Sequence, residues 1–350
     1  MAAPILQVRN LRTQFATQDG LVKAVDDVSF ELYPGETLGI VGESGSGKSV
    51  TALSILRLVP EPGRIVGGQI LFRNDDLMHM SDEDVREIRG RDIAMIFQDP
   101  QSSLNPVLRV GFQIEEAMIA HGKSKADAHA RTIDLLKRVR IPAAEARVKD
   151  FPHQLSGGMR QRAMIAMGLA NAPQILIADE PTTALDVTVQ AQILELLGDL
   201  NRELGTAIIM ITHNMGVVAG LCTRVIVMYA GKIVEQGPVD QIFANPQHPY
   251  TWALLRSIPR VDALRHERLR SIEGIAPDLL RPPMGCRFHP RCPFRIEKCY
   301  SDEPTLKEVA PDQLAACWVT LDRARREMGA DDLVDIRPGA GSGVHKGQVS

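Results

Sequence analysis

Val41-Gly42-Glu43-Ser44-Gly45-Ser46-Gly47-Lys48-Ser49 is the segment of this 350-residue chain that says most about its fold. It has the spacing of a phosphate-binding loop, in which a glycine is followed by four residues and then by Gly-Lys-Ser. The apolar run Thr37–Val41 before it predicts a buried strand, and residues 50–58 after it predict a helix. Glycines let backbone N–H groups approach phosphates, and a helix N-terminus favours anions. The stretch therefore predicts a nucleotide site.

Individual residues of this loop have predicted contacts. Lys48 is expected to reach the β- and γ-phosphates, and Ser49 is expected to ligate Mg²⁺. The other loop residues expected to contact the phosphates are Gly42, Ser44, Gly45, Ser46 and Gly47. A Gly-rich turn without function is the alternative. The strand and the helix on either side favour the nucleotide site, because the motif requires both.

Length and composition limit the remaining possibilities. The chain is long enough for two or three domains, and 44% hydrophobic with 24% charged residues is ordinary for a soluble globular protein. A net charge of −3 provides no electrostatic reason to expect a nucleic-acid partner. No apolar stretch is long enough to span a membrane and no signal-peptide pattern is present, so we expect a cytoplasmic location and reduced cysteines.

The apolar pattern predicts an α/β fold. Alternation over residues 5–32 with a break at Asp19-Gly20 predicts antiparallel strands. Spacings of three and four over residues 102–150 predict a helical insertion. Continuous apolar runs predict central strands of a parallel sheet. The remaining predicted elements are strands at 69–72, 93–97, 175–178 and 207–211, a helix at 187–204, and a hairpin over 224–235.

Two carboxylates follow one of these apolar runs. Asp179 is suited to a water-mediated contact with Mg²⁺, and Glu180 is suited to act as general base on an attacking water. Acidic pairs at strand ends are common, but this pair lies downstream of a phosphate loop. A second anion site is predicted where Ser156-Gly157-Gly158 opens a helix, and a simple Gly-Gly helix cap is the alternative.

Six motifs in this order resemble those of the ATP-binding cassette (ABC) family. They are the phosphate loop (Walker A), Gln98 of the Q-loop, the signature Leu155-Ser156-Gly157-Gly158-Met159, the Walker B strand with Asp179-Glu180, the D-loop Ala184-Leu185-Asp186, and the switch histidine His213. The resemblance implies a P-loop NTPase cassette over residues 1–245. Such a cassette has a RecA-like core, an antiparallel edge sheet and a helical subdomain, here at about residues 99–160.

The resemblance also implies how the site would work. Cassettes of this family pair head to tail, with ATP and Mg²⁺ between the phosphate loop of one subunit and the signature of the other. Ser156 and Gly158 would then serve the partner's nucleotide. The residues implied for this chain's own nucleotide are Glu180, His213 and Gln98 in catalysis, Ser49, Gln98 and Asp179 at Mg²⁺, Lys48 and Asp186 at ATP, and Phe15 under the adenine. For Phe15, a position in the core is the alternative.

Segments outside the cassette motifs resemble the ATPases of dipeptide and oligopeptide importers. These are Ser102-Ser103-Leu104-Asn105-Pro106, His248-Pro249-Tyr250-Thr251 and Ser257-Ile258-Pro259, and the resemblance extends to about residue 325. It implies a peripheral subunit on the cytoplasmic face of the inner membrane. The implied partners are a second, different ATPase subunit, two transmembrane permease subunits and, through the complex, an extracytoplasmic substrate-binding protein. Import of nickel or another small solute is the alternative.

An ABC ATPase of DNA repair or translation is the rival class of function. Repair and chromosome cassettes insert long coiled coils between Walker A and the signature, and translational cassettes usually occur twice in one chain. Here no heptads separate Lys48 from Asp179, and the chain has one phosphate loop. Transport is therefore favoured.

The proline-rich chain after residue 245 predicts a small second domain over residues 246–326, followed by a disordered tail at 327–350. Its cysteines are Cys286, Cys292, Cys299 and Cys317. Because so polar a stretch has little core, a ligand is expected, and four thiolates suit zinc or an iron–sulfur cluster. The absence of Cys-x-x-Cys pairs counts against zinc. The resemblance implies a [4Fe-4S] cluster, with Zn²⁺ and no metal as alternatives, and a structural role outside hydrolysis.

Overall fold

The computed structural model describes residues 3–99, 103–183, 185–257 and 272–319. The strands in these ranges are β1 (Leu6–Thr17), β2 (Gly20–Leu32), β3 (Thr37–Val41), β4 (Gly63–Phe72), β5 (Asp75–Asp76), β6 (Ile93–Ile96), β7 (Ile175–Asp179), β8 (Ala207–Thr212), β9 (Arg224–Tyr229), β10 (Lys232–Pro238), β11 (Lys307–Ala310) and β12 (Gln313–Ala315). The helices are α1 (Lys48–Ile55), α2 (Asp82–Ile88), α3 (Val110–Ile119), α4 (Lys125–Arg138), α5 (Ala144–Arg147), α6 (Gly157–Gly168), α7 (Val187–Leu204), α8 (Met215–Leu221), α9 (Val239–Ala244), α10 (Pro249–Arg256) and α11 (Lys298–Ser301).

These strands form two sheets. The smaller sheet is antiparallel, in the order β2-β1-β4-β5, and it confirms the predicted edge sheet. The larger sheet has the order β11-β12-β10-β9-β3-β8-β7-β6. Its strands from β9 to β6 are parallel, and β10, β12 and β11 continue it in antiparallel pairing. Parallel strands end at the same edge of a sheet, so the loops after β3, β8, β7 and β6 lie side by side there.

Both faces of the larger sheet are covered, which explains the continuous apolar runs in its strands. Successive side chains of a strand point to opposite faces. Ile175 and Ile177 of β7 therefore pack with the antiparallel sheet and with Ile55 of α1. Leu176 and Ala178 of the same strand pack on the other face, in the cluster that includes the helical region. The predicted central strands at 175–178 and 207–211 are confirmed.

Helices fill the segment between β6 and β7, as the apolar spacing predicts. Ile114 and Met118 of α3 and Leu135 and Leu136 of α4 are at most 1% exposed. They pack in one cluster with Ile165 of α6. Ser124 begins α4 with a side-chain cap, because its hydroxyl accepts the backbone N–H of residue 127 at 3.1 Å.

The C-terminal segment continues the cassette. β12 pairs with β10, with Glu235 opposite Ala315. The buried Glu235 carboxylate accepts backbone N–H bonds from Gln247 and His248 at 2.7 and 2.9 Å and a side-chain bond from Gln313 at 2.8 Å. Burial is the main influence on this carboxyl and raises the pKa of Glu235. The separate small domain predicted from the sequence is therefore not confirmed.

The C-terminal segment also shares its apolar core with the cassette. Phe288, Phe294 and Cys299 belong to the same cluster as the helical region. A segment too polar to build its own core can still be stable when it covers apolar surface of a neighbour. The predicted boundary at residues 245 and 246 and the helical-subdomain limits stay predictions. Residues 258–271 and the predicted tail at 327–350 lie outside the described residues.

Candidate active site

The phosphate loop lies between β3 and α1 with three glycines at positive φ. These are Gly42, Gly45 and Gly47, at φ 154°, 77° and 100°. A side chain at Gly42 or Gly47 would meet a backbone oxygen, because an added Cβ would lie 2.2 Å from the Met228 oxygen or 2.4 Å from the Ala24 oxygen. An added Cβ at Gly45 would face open space. Two glycines thus allow close packing beneath the loop, and the third lies on its open side.

Lys48 is buried at the base of this loop, where its side chain is surrounded by backbone carbonyls. Its Nζ donates to the Gly42 oxygen and to the Glu43 oxygen, both at 2.8 Å. Burial lowers the pKa of Lys48, while the carboxylates of Glu180, Asp179 and Glu43 act in the opposite direction. The loop therefore holds its cation against carbonyl oxygens, which the oxygens of an anionic ligand would replace.

Ser49 and Asp179 meet beside this lysine. The Ser49 hydroxyl donates to Asp179 Oδ1 at 3.1 Å, and Asp179 is 5% exposed. Burial is the largest influence on this carboxyl and raises the pKa of Asp179, with the nearby Glu180 charge adding to the effect. Hydroxyl and carboxylate oxygens are ligands that Mg²⁺ prefers. The fold brings these two residues together, and their contact with Mg²⁺ stays a prediction.

Glu180 is the centre of a hydrogen-bond network at the same edge. Its Oε1 lies 3.0 Å from His213 Nδ1, and its Oε2 accepts from Gln98 Nε2 and from Thr183 Oγ1, both at 2.9 Å. Burial by itself would raise the pKa of Glu180, but the His213 and Thr183 hydrogen bonds and the Lys48 charge hold the pKa below its usual value. The carboxylate is therefore kept ionised and oriented, as a general base requires.

The backbone at Glu180 explains how its side chain is aimed. Its φ is 44°, in the left-handed region, directly after the last residue of β7. Its N–H donates to the Ile211 oxygen of β8 at 2.9 Å. Positive φ costs free energy for a residue with a side chain, and such conformations concentrate at functional sites. The strained turn places the carboxylate between the loops that follow β6 and β8.

Other predicted residues have local structural contacts. Ser156 begins α6 and accepts the Met159 N–H at 3.3 Å, and Asp186 begins α7 and accepts the Val189 N–H at 2.9 Å. A Cβ at Gly158 would lie 2.8 Å from Val189 Cγ1, so these two helix starts are close. Their predicted contacts with a nucleotide stay predictions.

Phe15 and two serines complete the predicted set. Phe15 of β1 is half-buried, and a Cβ at Gly63 would lie 2.5 Å from its ring. Ser46 is buried with its Oγ 3.4 Å from Lys48 Nζ, whereas Ser44 is exposed. The stacking of adenine on Phe15 stays a prediction.

The structure adds residues that the motifs do not single out. Thr183 binds Glu180, and its position three residues later in the same loop is a signal that could have found it. Arg291 and Tyr250 both bind Glu43 of the phosphate loop. No local pattern could have found Arg291, because it is remote in sequence and lies among the cysteines. The cysteine segment therefore contacts the phosphate loop through Arg291.

The cysteine segment has buried thiols near one another. Cys286, Cys292 and Cys299 are buried, and the Cys286 N–H donates to the Cys299 oxygen at 2.9 Å. Burial is the main cause that raises the pKa of Cys317 to about 12, and the other three thiols add to it. Among residues 3–99, 103–183, 185–257 and 272–319, no group of three or more His, Cys, Asp or Glu side chains is arranged to hold a metal ion. Cys222 is buried apart from them.

A glycine-rich loop with a buried lysine, a hydroxyl beside a carboxylate and an oriented glutamate define a P-loop nucleoside triphosphatase. A family model described as "ABC transporter" matches residues 25–183. A second, described as "Oligopeptide/dipeptide transporter, C-terminal region", matches residues 234–299.

Several relatives are similar to nearly the whole chain. A probable peptide ABC transporter ATP-binding protein of Sinorhizobium fredii is 54% identical over 90% of this chain and 94% of its own length. The dipeptide transport ATP-binding protein DppD of Lactococcus lactis is 50% identical over 94% and 95% of the two chains. The oligopeptide transport ATP-binding protein OppD of Salmonella typhimurium is 51% identical over 90% and 93%.

A solved structure supports the same assignment. The bacterial ABC transporter cassette MJ0796, determined as a dimer, is 29% identical with a TM-score of 0.60, over 67% of this chain and 98% of that one. The chain belongs to the ABC transporter family of ATP-binding proteins, in the group that carries the oligopeptide/dipeptide transporter C-terminal region. It is an ATPase of that family. No helix in the described part of the chain is long and apolar enough to cross a membrane.

Proposed function

We propose that this chain is the ATP-hydrolysing subunit of an importer for dipeptides or oligopeptides, bound peripherally to the cytoplasmic face of the membrane. The observation that carries hydrolysis is the Glu180 carboxylate, oriented by Gln98, Thr183 and His213 beside the phosphate loop. The peptide class is supported by the names of the relatives and by the C-terminal match at residues 234–299. These names favour peptides over nickel or another small solute.

The residues beside the loop fit a magnesium nucleotide. Ser49 Oγ and Asp179 Oδ1 are the proposed Mg²⁺ ligands, the second through water. Bound magnesium would neutralise charge on the phosphates. Lys48 would exchange its carbonyl partners for β- and γ-phosphate oxygens, and the loop N–H groups would bind the remaining phosphate oxygens. Gln98 uses its amide nitrogen on Glu180, so its carbonyl oxygen is the atom available for its proposed Mg²⁺ contact.

Glu180 performs the proton transfer in the proposed reaction. Its ionised carboxylate accepts a proton from the attacking water. His213 keeps the carboxylate oriented from the loop after β8, and Gln98 does so from the loop after β6. Because Gln98 precedes the helical region, we propose that residues 99–160 relay the state of the site to the permease subunits.

A paired cassette is the proposed active form. Ser156 and Gly158 would complete the partner's nucleotide site. The dimeric structure of MJ0796 supports pairing, because it is a cassette of the same family. We propose a second, different ATPase subunit as the partner, together with two permease subunits and a substrate-binding protein. Purification of the intact complex with a tag on this chain should yield both ATPases in equal amounts. Two copies of this chain and no second ATPase would contradict the proposal.

Substrate-stimulated hydrolysis tests the transport function. The complex should be reconstituted in proteoliposomes with its binding protein, and ATP turnover measured with a dipeptide and oligopeptide mixture or with Ni²⁺. Peptides should stimulate turnover several-fold, because substrate delivery drives cassette closure. A complex with Glu180→Gln in this chain is the control for turnover at this site. Stimulation by Ni²⁺ alone would instead support the alternative solute.

We further propose that Cys286, Cys292, Cys299 and Cys317 hold one [4Fe-4S] cluster, with Zn²⁺ as the alternative. The burial of Cys286, Cys292 and Cys299, and the backbone hydrogen bond of 2.9 Å from Cys286 to Cys299, support a shared ligand. The four cysteine side chains would have to move to bind a metal together, because no such group in the described residues is arranged to hold a metal ion. The proposed role is structural.

Metal analysis of anaerobically purified protein tests this assignment. Brown protein with about four irons per chain is expected for a four-cysteine cluster. Cys317→Ser should lose iron, whereas Cys222→Ser, at a buried cysteine outside the set, should keep it. Colourless protein with one zinc would support the alternative, and metal-free protein with titratable thiols would contradict both.

A further inference from the structure

The second residue of the phosphate loop is held by an arginine of the C-terminal segment. Arg291 Nη1 donates to Glu43 Oε2 at 2.6 Å, and Nη2 donates to Glu43 Oε1 at 3.0 Å. The Arg291 side chain is 5% exposed and that of Glu43 is 29% exposed. Paired bonds from one guanidinium to one carboxylate fix orientation as well as distance. The two hydrogen bonds therefore fix the orientation of the Glu43 carboxylate.

The guanidinium that holds Glu43 is itself immobilised. Arg291 Nε donates to the Glu273 oxygen at 3.0 Å, and Nη2 also donates to the Ile272 oxygen at 3.2 Å. Its guanidinium carbon lies 5.9 Å from the centre of the Tyr229 ring. A planar group fixed on several sides loses little further entropy when it binds a carboxylate. Arg291 thus acts as a rigid support for the loop.

The main chain of Glu43 is fixed as well. Its N–H donates to the buried Tyr250 hydroxyl at 2.8 Å, and its carbonyl accepts from Lys48 Nζ at 2.8 Å. Tyr250 packs against Tyr229, with ring centres 4.6 Å apart. Arg291 therefore holds the side chain of Glu43, and Tyr250 holds its backbone, and both lie in the part of the chain after residue 245.

A second arginine of the same segment supports the loop from below. Arg287 binds the Asp26 carboxylate and the Ala230 oxygen, and its side chain is 7% exposed. The neighbouring Gly231 N–H donates to the Ser46 oxygen of the phosphate loop at 2.9 Å. Arg287 precedes the turn His289–Arg291, and Arg291 is the last residue of that turn. One short segment therefore supports the loop at two points.

We propose that Arg291 is a positioning residue of the nucleotide site, which holds the Glu43 carboxylate away from Lys48 and from the incoming phosphates. Without Arg291, the Glu43 carboxylate would be free to turn towards Lys48. The negative charge of Glu43 already acts to raise the pKa of Lys48. It would then compete with the phosphates for the same cation, and its negative charge would repel them. The inference rests on the proposed nucleotide site and extends that site into the cysteine-containing segment.

Equilibrium binding of a fluorescent ATP analogue with Mg²⁺ to the full chain tests the proposal. Arg291→Met should weaken binding by about tenfold, a usual size for coupling between sites. Arg295→Met is the matched control, because Arg295 lies in the same segment and binds Tyr300 and the Cys292 oxygen. It should change the dissociation constant by less than about twofold, within the scatter of remote surface changes.

Rescue separates positioning from general stability. Glu43→Gln removes the unpaired carboxylate, so Glu43→Gln with Arg291→Met should bind the analogue more tightly than Arg291→Met by itself. A purely structural role of Arg291 would lower the melting temperature and give no such rescue. Unchanged affinity in folded Arg291→Met, or no gain in the double variant, would overturn the inference. Failure of the unchanged chain to bind the analogue would instead contradict the proposed nucleotide site.

Hydrogen exchange on the unchanged chain keeps the test decisive if Arg291→Met does not fold. Because coupling is reciprocal, a non-hydrolysable ATP analogue should slow exchange of backbone amides in residues 286–292. The β11–β12 hairpin of the same segment is the internal control and should be unaffected. Equal exchange in residues 286–292 with and without the analogue would overturn the inference.

Discussion

The catalytic edge of the sheet and the C-terminal segment reach the same phosphate loop by different routes. At the catalytic edge, Asp179 ends β7, Glu180 follows it, and His213 follows the neighbouring parallel strand β8, so the strand register brings them together. In the C-terminal segment, Arg291 and Tyr250 reach Glu43 through packing between distant parts of the chain. Chemistry is concentrated at the first region, and support of the loop is shared with the second.

This difference shows that a recognisable motif does not identify every contact of a site. The cysteines are the conspicuous residues of the C-terminal segment, yet arginines beside them contact the phosphate loop. Changes at the catalytic edge should therefore alter turnover with little effect on folding. Changes in the C-terminal core should alter stability first.

The largest effect is expected at the catalytic edge. Glu180→Gln should lower ATP hydrolysis of the assembled complex at this site by about 10²- to 10⁴-fold, the usual contribution of a general base. Nucleotide binding should persist because Lys48 and the loop are unchanged, and ATP should trap the closed pair of cassettes. Steady-state turnover and size-exclusion chromatography with ATP measure both effects. Glu145→Gln, at an exposed position, is the control, and near-normal hydrolysis in Glu180→Gln would refute the assignment.

Two loop glycines should differ in stability. Gly47→Ala should lower the free energy of unfolding by about 2–5 kcal/mol, because positive φ and overpacking against the Ala24 oxygen add together. Gly45→Ala should cost only about 1–2 kcal/mol, since its Cβ meets open space. Urea unfolding of both variants measures the difference. Equal losses would show that packing beneath the loop is not what requires Gly47.

The buried carboxylate of β10 should affect stability and leave catalysis nearly unchanged. Glu235→Gln should cost about 1–3 kcal/mol, because its amide N–H₂ would face hydrogen-bond donors. The exposed Glu308→Gln is the control. Thermal unfolding and the dissociation constant for ATP should be measured together. A large loss of ATP affinity without a loss of stability would show that Glu235 acts on the nucleotide site and not on folding.

Glu235 also predicts a pH dependence of stability. Its pKa is raised in the folded protein, so the folded state binds the proton more tightly than the unfolded chain does. The stabilisation from this group is therefore fully present below the unfolded value of about 4.5 and is lost as pH rises through the folded pKa. Glu235→Gln should flatten that part of the profile. If the slope of the unfolding free energy against pH is unchanged in Glu235→Gln, other groups cause the pH dependence.

The smallest effect is a shift in the pH dependence of turnover. His213→Ala should raise the pKa of Glu180, because the hydrogen bond from His213 is the strongest influence that lowers it. The acid limb of the pH–rate profile should therefore move to higher pH. Thr183→Val should shift it in the same direction, and His129→Ala, at an exposed histidine, should not shift it. A limb that stays in place in both site variants would mean that Glu180 does not set it.

Sequence patterns predicted the elements that depend on local periodicity. The edge sheet, the central strands and the helix at 187–204 are all present. The helix after the phosphate loop begins at Lys48, two residues earlier than predicted, because the Gly47 oxygen already accepts the Thr51 N–H at 2.9 Å. For the C-terminal segment, the prolines and polar residues predict a separate domain. They do not reveal that the segment packs on the apolar surface of the cassette.

The motifs were enough to predict a cassette nucleotide site, because the phosphate loop, Glu180 and His213 each follow an apolar strand, and the fold places these strands side by side. The contacts of Arg291 and Tyr250 with Glu43, and the pairing of β12 with the main sheet, became visible only in the folded chain. Local patterns report which residues share a strand or a helix turn. Contacts between remote segments depend instead on which surfaces remain apolar and which buried charges need a partner, and both are settled only when the whole chain packs.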